Sequence, residues 1–181
     1  MDFREERLPC RRMRRYVLLL LASLLLAGCG YRFAGEEESV SPAFRTVFVD
    51  IFTNKTGEAY AESIFRSAFI RRFVQEGRFT LARNRGEADL ICRGAVRDLR
   101  TSPLAYKATN LTAEDRLTVM LEISIEERES GRVVWAESSF IGTGDYPVTT
   151  AGATESSRRT ALVKLANDSA EKAYRLMMAG F

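Results

Sequence analysis

The sequence predicts an α+β fold, a two-layer sandwich in which two helices pack on one face of a four-stranded, mainly antiparallel or mixed sheet. Two observations lead to this prediction. Several stretches alternate apolar and polar residues, as half-buried strands do, and two longer stretches place apolar residues every three or four positions, as amphipathic helices do. Their order is strand, helix, strand, strand, strand, helix, which favours helices on one side of the sheet. With 181 residues, the chain has the length of one domain.

The first half of the predicted domain is a strand followed by a helix. Residues 45–52 alternate between two faces, which predicts a strand. Val47, Val49 and Ile51 share one of these faces, and Thr46, Phe48, Asp50 and Phe52 share the other. A turn at residues 52–57 leads into a helix predicted over residues 58–76, which Gly77 ends. The buried side of this helix is predicted to hold Tyr60, Ile64, Phe65, Ala68, Phe69 and Phe73.

The next part of the chain is predicted to be extended and then irregular. Residues 79–82 form a short extended piece, and the alternation over residues 88–100 predicts a second principal strand. Residues 101–115 are polar and contain Pro103, so we expect a loop there.

A hairpin is predicted after this loop. Residues 116–127 show the cleanest alternation in the chain, which predicts a strand with one buried and one wet face. Residues 129–131 supply the turn, and residues 132–142 return as an antiparallel strand. Gly142 and Gly144 are expected to mark the exit from this strand.

The last helix is predicted over residues 152–178. Its apolar positions recur with helical spacing and form one stripe, and charged residues occupy the opposite face. The stripe consists of Leu162, Leu165, Ala166, Ser169, Ala170, Ala173 and Met177.

The N-terminus has the pattern of a bacterial lipoprotein signal. An apolar run of ten residues, 17–26, follows a cluster of arginines. It is too short to cross a membrane, which takes about 20 residues, but it fits the apolar core of a secretory signal. The sequence LAGC at residues 26–29 matches the bacterial lipobox at all four positions.

This pattern predicts how the chain is organised. We expect residues 1–28 to be a signal peptide, residues 29–44 to be an acylated N-terminus and tether, and residues 45–181 to be a single α/β domain. Acyl chains on Cys29 would anchor the protein to a membrane, because each buried methylene contributes about 0.8 kcal/mol.

Charge and composition exclude two classes of function. The chain has 27 basic and 24 acidic residues and no histidine. Residues 1–28 contain six arginines and three acidic residues, so 21 basic and 21 acidic residues remain from Cys29 onward. A neutral domain has no long-range field to hold a polyanion, which excludes generic nucleic-acid binding. Without histidine, an imidazole base and a histidine-ligated metal are also excluded.

No residue pattern points to catalysis. Cys92 lies on the apolar side of its predicted strand, with no histidine to activate it, so we expect a buried core residue rather than a nucleophile. No spacing typical of metal ligands or of paired catalytic carboxylates occurs. The sequence therefore predicts a non-enzymatic protein without a cofactor or a metal.

One group of basic residues leaves two interpretations open. It consists of Arg93, Arg97, Arg100, Lys107 and Arg116, which lie along one predicted strand and around the loop that follows it. Such residues can simply form a solvated face of the sheet. They can also bind an anionic amphiphile. In that case the basic side chains would contact its phosphates, and Tyr106, Pro103 or Leu104 would contact its apolar part.

Several short segments, taken in order, resemble one known family, the lipopolysaccharide-assembly lipoproteins called LptE. The segments are CGYRF at 29–33, VDIFTNKT at 49–56, ADLICRG at 88–94, GRVVW at 131–135, YPV at 146–148, and the helix entry with Glu155, Arg159, Ala161 and Leu162. Each is weak alone, and their order makes the resemblance fairly specific. It covers nearly the whole chain after residue 28.

The resemblance implies a non-catalytic role. Proteins of this family sit inside the outer-membrane β-barrel LptD in a one-to-one complex, plug its lumen, help it to assemble, and bind lipopolysaccharide. Their fold is a two-layer α/β sandwich. Gly30 rather than Asp follows the lipobox cysteine, which implies the outer membrane of a Gram-negative bacterium. Basic loop residues bind lipopolysaccharide in this family, and the best match is Lys107, supported by Arg97 and Arg100.

A second resemblance leads to a different class of function. Residues 52–58 also resemble the first strand–helix junction of lipoproteins related to CsgG and LpoB, which form secretion pores or activate a peptidoglycan synthase. Those proteins have a longer core of alternating strands and helices. The two predicted helices and the hairpin over residues 116–142 favour LptE.

Overall fold

Two helices cover one face of a mixed, six-stranded sheet in the computed structural model, which describes residues 44–105, 113–149 and 151–179. The strands are β1 (Thr46–Val49), β2 (Thr53–Asn54), β3 (Thr80–Leu81), β4 (Leu90–Ala105), β5 (Ala113–Glu127) and β6 (Val133–Val148), and the helices are α1 (Ala61–Glu76) and α2 (Ala151–Ala179). The predicted α+β class is confirmed. The sheet has six strands instead of the expected four, because the two-residue segments β2 and β3 also pair.

The sheet has the strand order β3-β1-β4-β5-β6, and β2 lies beside β4. β1 runs parallel to β3 and β4, β2 runs parallel to β4, and the long strands β4, β5 and β6 are antiparallel to one another. We call the end of the sheet where β1 begins, at Thr46, the tether end. The opposite end, where β4 ends at Ala105 and β5 begins at Ala113, is the loop end.

The helices lie side by side and run in the same direction, from the loop end towards the tether end. The ring of Phe73 in α1 meets Tyr174 in α2 edge to face, with 5.7 Å between the centroids. Closer to the loop end, the guanidinium of Arg71 in α1 donates to Oδ1 of Asn167 in α2 at 2.7 Å. α2 has 29 residues and α1 has 16, so α2 continues past α1 towards the loop end.

The hydrophobic core lies between this helix pair and the sheet. Leu121 and Ile123 of β5 are 0% and 1% exposed, and the predicted stripe of α2 is buried along its full length. The alternation in β5 and the helical spacing in α2 are therefore both confirmed. Each places its apolar side chains on the face that meets the other layer.

The prediction of one strand over residues 45–52 is wrong at its end. β1 stops at Val49, and the side chain of Asp50 then accepts a hydrogen bond from the amide of Ile51 at 2.9 Å. The alternation shifts by one residue at this point. Ile51 is therefore 72% exposed, while Phe52 is 1% exposed and packs on Phe69, with 5.2 Å between the ring centroids.

The loop predicted over residues 101–115 is also wrong at both ends. β4 continues to Ala105 and β5 begins at Ala113, with Thr101 opposite Leu117 and Pro103 opposite Asp115. The ladder with β5 satisfies the backbone groups of these residues on one edge of β4. A proline is compatible with this position, since on the other edge β2 reaches only Val96 and no described strand pairs with that edge of β4 beyond it.

Gly142 and Gly144 do not mark a strand exit, because β6 continues to Val148. Both glycines face α2. A Cβ atom on residue 142 would lie 2.5 Å from Oγ of Ser169, so the missing side chain lets the helix approach the strand closely. The hydroxyl of Ser169 is buried at this contact and has no hydrogen-bond partner within the described segments.

The prediction that Tyr60 lies on the buried side of the first helix is wrong. α1 begins at Ala61, and Tyr60 precedes it in the left-handed conformation, with φ of 65° and a side chain that is 68% exposed. The predicted end at Gly77 is confirmed, with φ of 67°. The remaining predicted residues of the buried side lie in the core or, for Ile64, against it.

The burial in β5 gives a stability prediction. Leu121→Ala should lower the free energy of unfolding by about 2–5 kcal/mol, because it opens a cavity in a closely packed core. Glu122→Ala, one residue away on the opposite face, should cost less than about 0.5 kcal/mol. Urea unfolding of the two purified variants measures both values. Equal losses would show that the two faces of β5 are wrongly assigned.

Candidate functional site

The face of the sheet that lies opposite the helices carries most of the basic residues that the sequence singled out. Arg93, Arg97 and Arg100 project from β4, and Arg116 projects from β5, each next in sequence to a residue on the core side. We call this surface the open face. The structure therefore brings these four arginines onto one surface. The spacing of Arg93 and Arg97 indicated a shared face, and Arg100 joins them because the register shifts between Val96 and Asp98.

Each arginine on the open face has a carboxylate partner. Arg93 pairs with Glu126 at 3.2 Å, and Arg97 pairs with Glu122 on the neighbouring strand. Arg116 and Asp145, which are directly opposite in the ladder, form a two-pronged pair at 2.7 and 2.9 Å. The hydrogen bonds of this pair lower the pKa of Asp145 and raise the pKa of Arg116.

The same holds for Arg100, which pairs with Asp98 on its own strand. These pairs are exposed, so each contributes little to stability. They do neutralise the face, so an anionic ligand competes with these carboxylates for the guanidinium groups.

An additional cation lies beside the open face. A depression of about 340 Å³ is lined by Lys55, Arg93, Arg97, Glu122 and Glu126, among others. Lys55 follows β2, whose end is held by a hydrogen bond from the Lys55 amide to the carbonyl of Val96 at 2.9 Å. Its ammonium gives this depression three cations against two carboxylates. Sequence reasoning missed Lys55, although it belongs to the VDIFTNKT segment that carried the resemblance.

Two predicted site residues lie outside the described part of the chain. They are Lys107, two positions beyond the end of β4, and Cys29. Arg97 and Arg100 are described and are both engaged in ion pairs. The structure thus places the two supporting arginines on the open face and leaves the residue they were expected to support untested.

Cys92 is a core residue, as predicted. It is 0% exposed, and burial is the main reason that the pKa of its thiol rises to about 12, with a smaller contribution from the negative charge of Asp50. The thiol is therefore protonated at neutral pH and cannot act as a nucleophile.

A second concave surface lies on the helix side, between the starts of α1 and α2. We call it the helix groove. It has a volume of about 420 Å³ and is lined by Glu58, Ala59, Tyr60, Ser63, Ile64, Glu155, Arg159 and Leu162. Its apolar lining comes from Ile64, Leu162 and the exposed ring of Tyr60. The sequence indicated none of this, because the groove joins segments about 100 residues apart.

One wall of the helix groove is fixed by an ion pair. Arg158 donates to Glu58 through both terminal guanidinium nitrogens, with 3.2 Å between Nη1 and Oε1. The two side chains are only 23% and 21% exposed. The hydrogen bonds with Glu58 raise the pKa of Arg158. Arg159, the next residue, is exposed and forms no ion pair with any described side chain.

Asp89 fixes the tether end of the sheet. Its carboxylate accepts hydrogen bonds from the backbone amides of Arg45 at 2.8 Å and Thr46 at 2.9 Å, where the chain enters β1. The bond from Arg45 is the main reason that the pKa of Asp89 lies below its ordinary value, and partial burial opposes the shift. Asp89 therefore joins the start of β1 to the start of β4.

Within the described ranges, no group of three or more potential metal ligands comes together. None of the described helices is both long enough and apolar enough to span a membrane. The described segments form a two-layer α+β domain whose concave surfaces are lined by ion pairs and by cations without a described carboxylate partner.

Solved structures of proteins from several bacteria align with most of this chain. The protein CT253 of Chlamydia trachomatis aligns with a TM-score of 0.51 at 8% identity, over 75% of this chain and 96% of that one. A minor lipoprotein from Acinetobacter baumannii gives 0.46 at 12% identity, over 76% and 94% of the two chains. Lipoprotein B from Nitrosomonas europaea gives 0.46 at 11% identity, over 75% and 81%. At 8% identity, the alignment with CT253 bears on the fold alone.

No curated protein matches the sequence. The model of the LptE family, described as lipopolysaccharide-assembly, matches residues 44–177, which is most of the chain and nearly all of the described domain. This chain belongs to the LptE family. The first of the two resemblances in the sequence is therefore confirmed.

The contacts of Asp89 predict a pH-dependent contribution to stability. Asp89→Ala should lower the free energy of unfolding by about 1–3 kcal/mol at pH 7, because two backbone amides lose a charged acceptor. The pKa of Asp89 is lowered in the folded state, so this stabilisation is complete above the ordinary value of 3.8 and is lost as the pH falls through the folded-state value.

Urea unfolding at pH 7 and pH 3 measures this contribution. The difference between the wild type and Asp89→Ala should shrink at pH 3. Glu129→Ala is the control, since Glu129 lies in the adjacent turn, is 80% exposed and pairs only with Arg128. A difference that stays constant between the two pH values would contradict the assigned role of the carboxylate.

Proposed function

We propose that this chain is a non-catalytic outer-membrane lipoprotein, acylated at Cys29, that plugs and helps to assemble an LptD β-barrel and binds lipopolysaccharide during its insertion into the outer leaflet. The single observation that carries the proposal is the match to the LptE family over residues 44–177. The organisation we propose with it rests on the lipobox sequence at residues 26–29: residues 1–28 as a signal peptide and residues 29–44 as a tether.

The position of the two ends of the sheet supports this arrangement. The tether enters at Thr46, and Lys107 follows the opposite end of β4, which has 16 residues and is therefore about 50 Å long. The chain therefore enters the domain at one end of the sheet, and the residue proposed to bind lipopolysaccharide follows the other end.

The charge pattern supports a role in a protein–lipid complex rather than in catalysis. LptE is a non-enzymatic family, and the buried Cys92 thiol is protonated at neutral pH. Because Arg97 and Arg100 are already paired, a phosphate at either of them competes with Glu122 or Asp98, so we take Lys107 as the first contact.

Protection from protease tests the plug. The purified lipoprotein and the same protein co-expressed with its cognate barrel are digested side by side. A domain enclosed in the lumen should be cut much more slowly in the complex, because local opening and protease access are both restricted. Equal digestion rates in a complex whose formation has been verified would contradict the plug.

Lipopolysaccharide binding is tested at Lys107. Lys107→Asp should weaken binding about tenfold or more, which corresponds to the roughly 1.5–3 kcal/mol of a charge-assisted contact. Raising the salt concentration should weaken wild-type binding as well, since the contact is ionic and near the surface. Thermal stability and association with the barrel should not change.

Lys164→Asp is the matched control, because it makes the same charge change on an exposed face of α2, where Lys164 pairs with Asp168 at 2.6 Å. Its affinity for lipopolysaccharide should equal that of the wild type. If Lys107→Asp also binds like the wild type, the basic residues are a solvated surface and this part of the proposal is wrong.

A further inference from the structure

The helix groove contains a residue whose conformation the fold does not explain. Tyr60 is the only described non-glycine residue with positive φ, and its ring is 68% exposed. It stands at the N-cap of α1, but its side chain makes no capping hydrogen bond. A bulky residue is disfavoured in the left-handed region, where asparagine and glycine are tolerated, and such outliers cluster at functional sites. The ring is therefore better explained by a contact outside this chain.

Arg159 supplies a second, independent feature of the same groove. Arg158 next to it is held by Glu58 and lies 3.9 Å from Glu155, whereas Arg159 has no carboxylate partner in the described part of the chain. The guanidinium lines the groove together with Tyr60 and Ile64. An unpaired arginine beside an exposed aromatic ring is the composition of a protein-binding hot spot.

The charges of the groove select the kind of ligand. The charged residues that line the groove are Glu58, Glu155 and Arg159, and the two carboxylates also lie within ion-pair distance of Arg158, so the groove has no net positive charge. A doubly charged phosphate would meet two carboxylates there and is disfavoured. A single carboxylate can pair with the guanidinium of Arg159, and an apolar side chain beside it can pack on Tyr60, Ile64 and Leu162. A polypeptide that carries an acidic residue next to an apolar one supplies both groups.

We infer that the helix groove docks a segment of a protein partner in which an acidic side chain binds Arg159 and a neighbouring apolar side chain packs on Tyr60. This inference rests on the proposed function, because it assigns the segment to the wall of the barrel. It gives Tyr60 and Arg159 a role in barrel association that is separate from lipopolysaccharide binding at the loop end.

The test uses the full-length lipoprotein co-expressed with its cognate barrel. Arg159→Glu should reduce the amount of complex at least tenfold, because it replaces the attraction for a carboxylate by repulsion. Tyr60→Asn removes the ring and places in the left-handed position a residue that tolerates it. It should also reduce the complex, while the melting temperature of the free lipoprotein stays the same or rises.

Arg71→Glu is the matched control. Arg71 lies three turns further along α1 and contacts only the side-chain amide of Asn167. This variant should assemble like the wild type. Assembly of Arg159→Glu and Tyr60→Asn at wild-type levels would overturn the inference while the proposed function stands, and so would an equal loss in Arg71→Glu. A wild-type protein that forms no complex with the barrel would overturn both.

Photo-crosslinking identifies the occupant directly. A photoreactive amino acid in place of Ser63, whose hydroxyl only donates to the carbonyl of Tyr60, points the probe into the groove. The expected product joins this position to an acidic segment of the barrel. Crosslinks to lipopolysaccharide, or to a second copy of the lipoprotein, would show that the groove has another occupant and would overturn the inference.

Discussion

The packing of two parallel helices against one face of the β4–β5–β6 sheet is the interaction on which the other features of this domain depend. It buries the stripe of α2 against strands of 15 and 16 residues, and it is tight enough to require a glycine at position 142 opposite Ser169. Because both helices lie on one side, the other side of the sheet stays open to solvent. The open face is the uncovered side of the sheet, and the helix groove lies on the side that the helices cover.

The open face is rich in arginine, but its charge is neutralised. Its arginines pair with carboxylates on the same or the adjacent strand. Two described cations outside these pairs line concave surfaces, Lys55 beside the open face and Arg159 in the helix groove. Binding is thus better sought at these exceptions than along the most arginine-rich strand.

The fold could be predicted from the sequence wherever the signal is local. The alternation of β5 and the stripe of α2 are both set by the periodicity of a single element, and both are confirmed. The prediction failed where pairing overrides composition, as in residues 101–105, which contain a proline and yet belong to β4. It also failed at Tyr60, whose apolar spacing suggested burial although the helix begins one residue later.

The candidate sites were predicted less well, for a physical reason. The spacing of Arg93 and Arg97 shows that they share a face, but their partners Glu126 and Glu122 depend on the register between β4 and β5. The pair of Glu58 with Arg158 joins residues 100 positions apart. Which cations remain unpaired therefore follows only from the tertiary structure, and Lys55 and Arg159 could not be distinguished from other basic residues in the sequence.

The proposed function makes this chain the partner of a large outer-membrane barrel. Purification of the native lipoprotein from its membrane in mild detergent, followed by the mass and identity of what remains bound, tests this partnership. We expect one copy of a large LptD-type β-barrel for each copy of the lipoprotein. Recovery of a penicillin-binding protein in place of the barrel would contradict it and would favour the CsgG/LpoB-like alternative.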